Sequence, residues 1–432
     1  MFAANFGLFF YFWNLMDLRK HIAVALMYFL IVALLGVLLR TFFVVPIPFN
    51  YKFLLHAHSH TALLGWIYLG LTTLIYKIFL SEAHKPKLYK RIFYFTNFCI
   101  LGMLVTFPIQ GYALFSIIFS TLFLFASYWF TWFAIRHIPQ QFKNRFSWKL
   151  IKTSLLYLVF SSLGPWAIGG VMATLGPESI WYKTSIYFYL HFQYNAWFVL
   201  ALLGMLFYVF EERGIRFNPQ ALKSFYLLLN FGLLFSLFLS VLWFVPPTVF
   251  YLLGLFGAVA QLLAFSDLYY LLKPHLSVLK NDFSARAFLL LKIAFGLTAV
   301  KILMQVFSGI PYIANLVFQL KDFVIGYLHL VLLGIIVTAL LAFLEYFKLL
   351  RLPKTFIWIF LTAFTTTELL IFYKPIAIWL GSPIFFEYYI VLAVLSFLFP
   401  LAIGILFWNH VDYFYFNAFK NTTKDDLNHF GK

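Results

Sequence analysis

Long apolar runs, most of 18 residues or more, succeed one another along nearly the whole chain, each closed by a short polar or Pro/Gly break. The clearest breaks are PIPFN at 46–50, FPIQG at 107–111, LGPES at 175–179, FVPPT at 244–248, SGIPY at 308–312 and GSP at 381–383. A helix rises about 1.5 Å per residue, so each run is long enough to cross a hydrocarbon core of about 30 Å. The pattern predicts an all-α polytopic membrane protein with twelve transmembrane helices. They fall near 21–43, 53–80, 91–110, 111–135, 150–175, 184–210, 221–244, 248–272, 286–307, 319–346, 355–374 and 384–408. Residues 1–20 are apolar but lack a basic start and a small-residue cleavage site, which suits an interfacial lead-in. Residues 21–408 form one membrane domain, and 409–432 a C-terminal tail.

Composition removes the other classes. Of 432 residues, 64% are hydrophobic, 23% aromatic and only 10% charged, leaving no room for a sizeable soluble domain. The single cysteine, Cys99, rules out disulfides and Cys-rich metal sites. The 31 lysines and arginines are ordered. Most lie at the N-terminal tail, the even-to-odd loops and the C-terminal tail, as in HKPKLYKR at 84–91 and RHIPQQFKNR at 136–145. Arg40, Lys52, Lys183, Lys321 and Lys374 fall at the opposite ends, and Lys292 and Lys301 lie within a span. The positive-inside rule then places both termini in the cytoplasm, as in a bacterial inner membrane. The net charge of +17 is therefore a topology signal spread over many loops, and nucleic acid is not an expected partner.

The eleven histidines sort by depth. His21, His84, His137, His275, His410 and His429 sit at cytoplasmic ends, loops or the tail, where solvation accounts for them. His56, His58, His60, His191 and His329 lie in the second, sixth and tenth spans, each about 5–15 Å beneath the outer end. A lone histidine between membrane helices is more often a hydrogen-bonding residue than a ligand. Three helices bringing imidazoles to one depth favour metal or haem ligation instead, since neutral imidazole is the commonest metal ligand. His56 and His60 are i and i+4 and share a helix face, whereas His58 points away by roughly 160°.

Twelve spans with histidines in the outer halves of the second, sixth and tenth resemble subunit I of the haem–copper oxidase superfamily. His60-Thr61-Ala62 in HSHTALLGWIYLG is similar to the second-helix motif of nitric oxide reductases and cbb-type oxidases, whose His ligates a low-spin haem. Tyr327-Leu328-His329 in DFVIGYLHLVLLG resembles the tenth-helix His-x-His, with Gly334 following. His191 in YFYLHFQYNAWF takes the place of the sixth-helix copper ligand. HSHTALLGW also matches an H-x-H-x-x-L-x-G pattern similar to the NnrS family of twelve-span haem–copper proteins linked to nitric oxide. The resemblance implies a low-spin haem b held by His60 and His329, and leaves room for a second haem or copper. Arg40, Lys52 and Lys321 stand at the level where haem propionates would need cations, although the two lysines suit snorkelling equally well.

The chain departs from the family at the second metal centre. Tyr327 stands where the family offers a His to the high-spin haem, and the seventh span, ALKSFYLLLNFGLLFSLFLSVLWF, contains no histidine. His191 alone cannot complete a three-His copper site. Tyr327 could ligate ferric haem through its phenolate, or serve as an ordinary hydrogen-bonding residue. His56 and His58 are the remaining metal-ligand candidates. Lys292, Lys301, Glu368 and Glu387 are further ionisable groups within spans, and a Lys–Glu pair for proton conduction is one reading of them.

The expected function is a membrane haem protein serving electron transfer or the handling of nitric oxide or dioxygen, partnered by an electron donor or other membrane subunits. It is oxidoreductase-like by resemblance only, because the dioxygen-reducing centre is incomplete. A carrier or channel passing protons or metal ions along the same histidine, lysine and glutamate residues is the alternative from another class.

Overall fold

The computed structural model describes residues 17–413. Among these described residues, twelve helices long and apolar enough to cross a bilayer mark the chain as an integral membrane protein. They are α1 (Leu18–Thr41), α2 (Tyr51–Ala83), α3 (Pro86–Gln110), α4 (Leu114–His137), α5 (Phe146–Thr174), α6 (Ile180–Glu212), α7 (Pro219–Phe244), α8 (Thr248–Asp282), α9 (Ala285–Ser308), α10 (Asp322–Tyr346), α11 (Lys354–Trp379) and α12 (Tyr388–Val411). Residues 18–20 begin α1 and 409–411 end α12; most of the expected lead-in and tail lie outside the described residues.

Short polar residues set the helix starts. The side chains of Asp17, Asn50, Ser179, Asn218 and Ser284 accept hydrogen bonds from otherwise orphaned N–H groups of α1, α2, α6, α7 and α9. Pro219 follows Asn218 at the first helical position, where its missing N–H costs nothing. Gly111, at φ +61°, ends α3 and turns the chain into α4. Most helix ends lie within about five residues of the sequence expectation, and two places differ in kind. The eighth helix does not stop at Leu272: a tight turn through Lys273–His275 carries it on to Asp282. A short helix, Pro311–Gln319, fills the break before α10, which begins at Asp322.

The chain divides into two compact units. The first comprises the chain up to Phe133, Phe347–Ala363 and the residues from Tyr389 on; the second comprises Ala134–Tyr346 and Phe364–Tyr388. Stacked aromatic pairs pack the first, with Phe29 on Trp66 at 4.6 Å and Tyr76 on Tyr89 at 3.7 Å between ring centroids. In lipid such packing, with no hydrophobic expulsion to add to it, does much of the work of helix association. In the second unit glycine allows α7 and α8 to touch. A Cβ added to Gly257 would lie 2.2 Å from the backbone nitrogen of Ser236.

His21 and His410 depart from the solvated role expected of them. Both are buried. His21 stacks on Phe93 at 3.6 Å, and His410 Nε2 donates to the Arg19 carbonyl at 2.9 Å. Their positions near helix ends say nothing about which face of the helix they occupy.

Candidate functional site

The helices that carry His56–His60, His191 and His329 are the most enclosed of the twelve. Over their most apolar windows α2, α6 and α10 are 94%, 78% and 72% buried, against 56% or less elsewhere. Each also changes its winding directly after its histidine. Thr61–Ile67, Phe192–Trp197 and Leu330–Val337 are wound as π-helix, beginning one residue past His60, His191 and His329 respectively. Wide turns of this kind concentrate at functional sites.

On α2, His56 and His60 share a face and His58 points elsewhere. His60 lies 4.4 Å from the Phe107 ring, and His56 lies 4.6 Å from that of Tyr112. His58 instead donates from Nδ1 to the Val32 carbonyl of α1 at 3.0 Å. There its ring fills the space beside Gly36, where a Cβ would come within 3.1 Å. His58 thus ties α2 to α1. Arg40, on the last turn of α1, acts electrostatically on His58.

His60 is held in one tautomer. Its Nδ1 lies 2.8 Å from the His56 carbonyl, which can only accept, so Nδ1 carries the proton. Its Nε2 then presents a lone pair and accepts from the Tyr112 hydroxyl at 3.0 Å. Tyr112 lies in the turn after Gly111, and nothing in the sequence pattern marked it as a neighbour of His60.

His329 on α10 repeats the arrangement. Its Nδ1 donates to the Ile325 carbonyl at 2.8 Å, again one turn back on its own helix. The sequences repeat as well: His60-Thr-Ala-Leu-Leu-Gly65 and His329-Leu-Val-Leu-Leu-Gly334 are one pattern, His-x-x-Leu-Leu-Gly, readable from the chain but overlooked when each motif is taken singly. Gly334 is needed for packing, since a Cβ there would meet Leu297 and Phe364 at 2.6 Å. Second-sphere carbonyls that fix Nδ1–H and orient the ring are the usual support of an imidazole ligand. On this observation His60 and His329, each taken by itself, fit the build of an imidazole that would hold a haem iron.

His191 is built differently. Its Nε2 donates to the Leu233 carbonyl at 2.8 Å, and Nδ1 faces the Asn195 amide at 3.3 Å and the Ser240 hydroxyl at 3.5 Å. Both ring nitrogens are engaged with protein. Among the described residues no group of three His, Cys, Asp or Glu side chains is placed to hold a metal ion. The residues present do not fit the copper site that the sequence left open, at His191 or with His56 and His58. Tyr327 packs edge-on against Tyr194, ring centroids 6.3 Å apart.

The ionisable residues within spans separate cleanly. Lys301 is buried and donates to Gln261 Oε1 at 2.9 Å, and Gln261 donates on to Ser236 Oγ at 2.7 Å. Among the described residues Lys301 forms no ion pair, so the Lys–Glu reading finds no pair at this lysine. Lys292 is exposed, with its ammonium 5.2 Å from the Phe288 ring. Glu368 is buried on α11, whereas Glu387 is exposed and precedes the first turn of α12.

No known family's sequence profile matches the chain, and no curated protein matches it.

Proposed function

We propose that the chain is an integral membrane haem protein, a divergent relative of the haem–copper oxidase catalytic subunit, in which His60 and His329 would hold a low-spin haem b. The observation that carries the reading is the twinned His-x-x-Leu-Leu-Gly element. Each copy tethers the Nδ1 of its histidine to its own helix at 2.8 Å, and π-helical winding begins at the residue after that histidine. A haem so ligated would supply one-electron chemistry. The protein's part is to fix the tautomer, to exclude water by enclosing α2 and α10, and to offer Arg40 to a propionate. With no copper trio, reduction of dioxygen or nitric oxide at a haem–metal pair is not part of the proposal; electron relay or diatomic-gas handling is. The bacterial inner membrane, with both termini cytoplasmic, is the proposed location.

The test is a reduced-minus-oxidised absorbance spectrum of haem-supplied protein in mild detergent, beside His60→Ala and His329→Ala. A low-spin haem b spectrum lost in both variants supports the proposal. Folded, haem-free wild-type protein defeats it. The Lys301–Gln261–Ser236 chain would then favour the second reading, a proton-conducting carrier.

A further inference from the structure

A cavity of about 670 Å³ opens where α4 ends and α5 and α7 begin, all within the second unit. Lys143, Arg145, Lys149, Lys152 and Lys223 line it. The carboxylates nearby are already occupied. Glu212 pairs with Arg145, and Glu211 accepts from the Ser147 backbone N–H at 2.9 Å. Lys149 sits 3.8 Å from the centre of the Tyr226 ring, a cation–π contact. Among the described residues Lys143, Lys152 and Lys223 form no ion pair. Several ammonium groups around one concavity repel one another until an anion enters.

The surface below the lysines indicates what kind of anion. On α5, Lys152 is followed at helical spacing by Leu156 and Phe160, 50% and 39% exposed. On α7, Lys223 is followed in the same way by Leu227 and Phe231, 42% and 50% exposed. The two helices are joined along this seam by Thr153 to Tyr226 at 2.9 Å and Tyr157 to Asn230 at 3.1 Å. A cationic mouth thus opens onto two parallel apolar stripes that run into the membrane. A soluble phosphate would use only the first; a phospholipid matches both.

We propose that this cavity binds the phosphate headgroup of an anionic phospholipid, with acyl chains along the α5 and α7 stripes. The site is independent of the haem assignment. The lysines here, which in the sequence mark topology, acquire a ligand as well.

The test uses the intact protein in nanodiscs of phosphatidylcholine with a minority of phosphatidylglycerol or cardiolipin. Retained lipid is counted by native mass spectrometry, and affinity is measured by titration. The triple variant Lys143→Gln, Lys152→Gln, Lys223→Gln should lose about a hundredfold in affinity for acidic lipid, at roughly tenfold or less per lysine. Phosphatidylcholine retention should not change. The matching arginine triple variant should keep the affinity, and Lys85→Gln, Lys87→Gln, Lys90→Gln at the basic start of α3 should leave it intact. Acidic lipid held equally tightly by the glutamine triple variant would overturn the proposal. So would inorganic phosphate binding with comparable affinity and displacing the lipid, which would show a soluble-phosphate site.

Discussion

The Tyr112 hydroxyl donates to Nε2 of His60 across 3.0 Å, so the nitrogen that would meet an iron is already capped by a side chain from the α3–α4 turn. Tyr112 is 50% exposed and follows Gly111, whose positive φ makes the turn. Haem ligation requires this hydroxyl to give way. Tyr112→Phe should therefore raise haem affinity by about fivefold, the worth of one net hydrogen bond of about 1 kcal/mol. Soret titration of the apoprotein measures it. Weaker binding by the phenylalanine variant would show that Tyr112 supports the bound state.

The tight crossing of α7 and α8 predicts a position-specific stability cost. Gly257→Ala drives a methyl into the backbone of Ser236, which cannot swing aside as a side chain could. It should destabilise the protein by about 1–3 kcal/mol or more. Gly169→Ala on α5, where an added Cβ meets nothing within 4 Å, serves as its control and should leave the melting temperature in detergent nearly unchanged. Equal shifts in the two variants would contradict the close approach.

The twelve spans were legible because lipid imposes a coarse rule: long apolar runs closed by Pro, Gly and short polar residues. The split of His56 and His60 from His58 was legible for a similar reason, since helical spacing fixes it. What the residues at 61–67 or 330–337 do not display is the widened winding, which depends on neighbours packed around α2 and α10. The same limit hid the burial of His21 and His410 and the choice of Gln261 as the partner of Lys301. In a chain apolar on every face, hydropathy does not say which side of a helix meets protein. The paired His-x-x-Leu-Leu-Gly elements, by contrast, were present in the letters and needed only to be compared.

Lys301 and Gln261 should show strong non-additivity. Removing Gln261 alone, as Gln261→Leu, leaves a buried ammonium without its acceptor and should cost about 3 kcal/mol. Adding Lys301→Met removes that stranded group, so the double variant should be more stable than Gln261→Leu. Thermal unfolding of the set in one detergent decides it. A double variant as unstable as the sum of the singles would mean the two residues act separately.

His191 gives the sharpest contrast with His60 and His329. Helix α7 tightens to a 3₁₀ winding from Ser236 onward, and the Leu233 carbonyl lies at that change. The Nε2–H of His191 donates to this carbonyl at 2.8 Å, which compensates where the regular ladder is altered. His191→Ala should lower stability by about 1–3 kcal/mol by taking away that donor, while haem per folded molecule stays at the wild-type level. His191→Gln, which keeps a terminal N–H, should recover part of the loss. The measurements are a melting curve and a pyridine haemochrome assay on the same preparations. Haem or metal lost from a His191→Ala protein that still folds would make His191 a ligand, and its bonds to Leu233 and Asn195 would then belong only to the empty state.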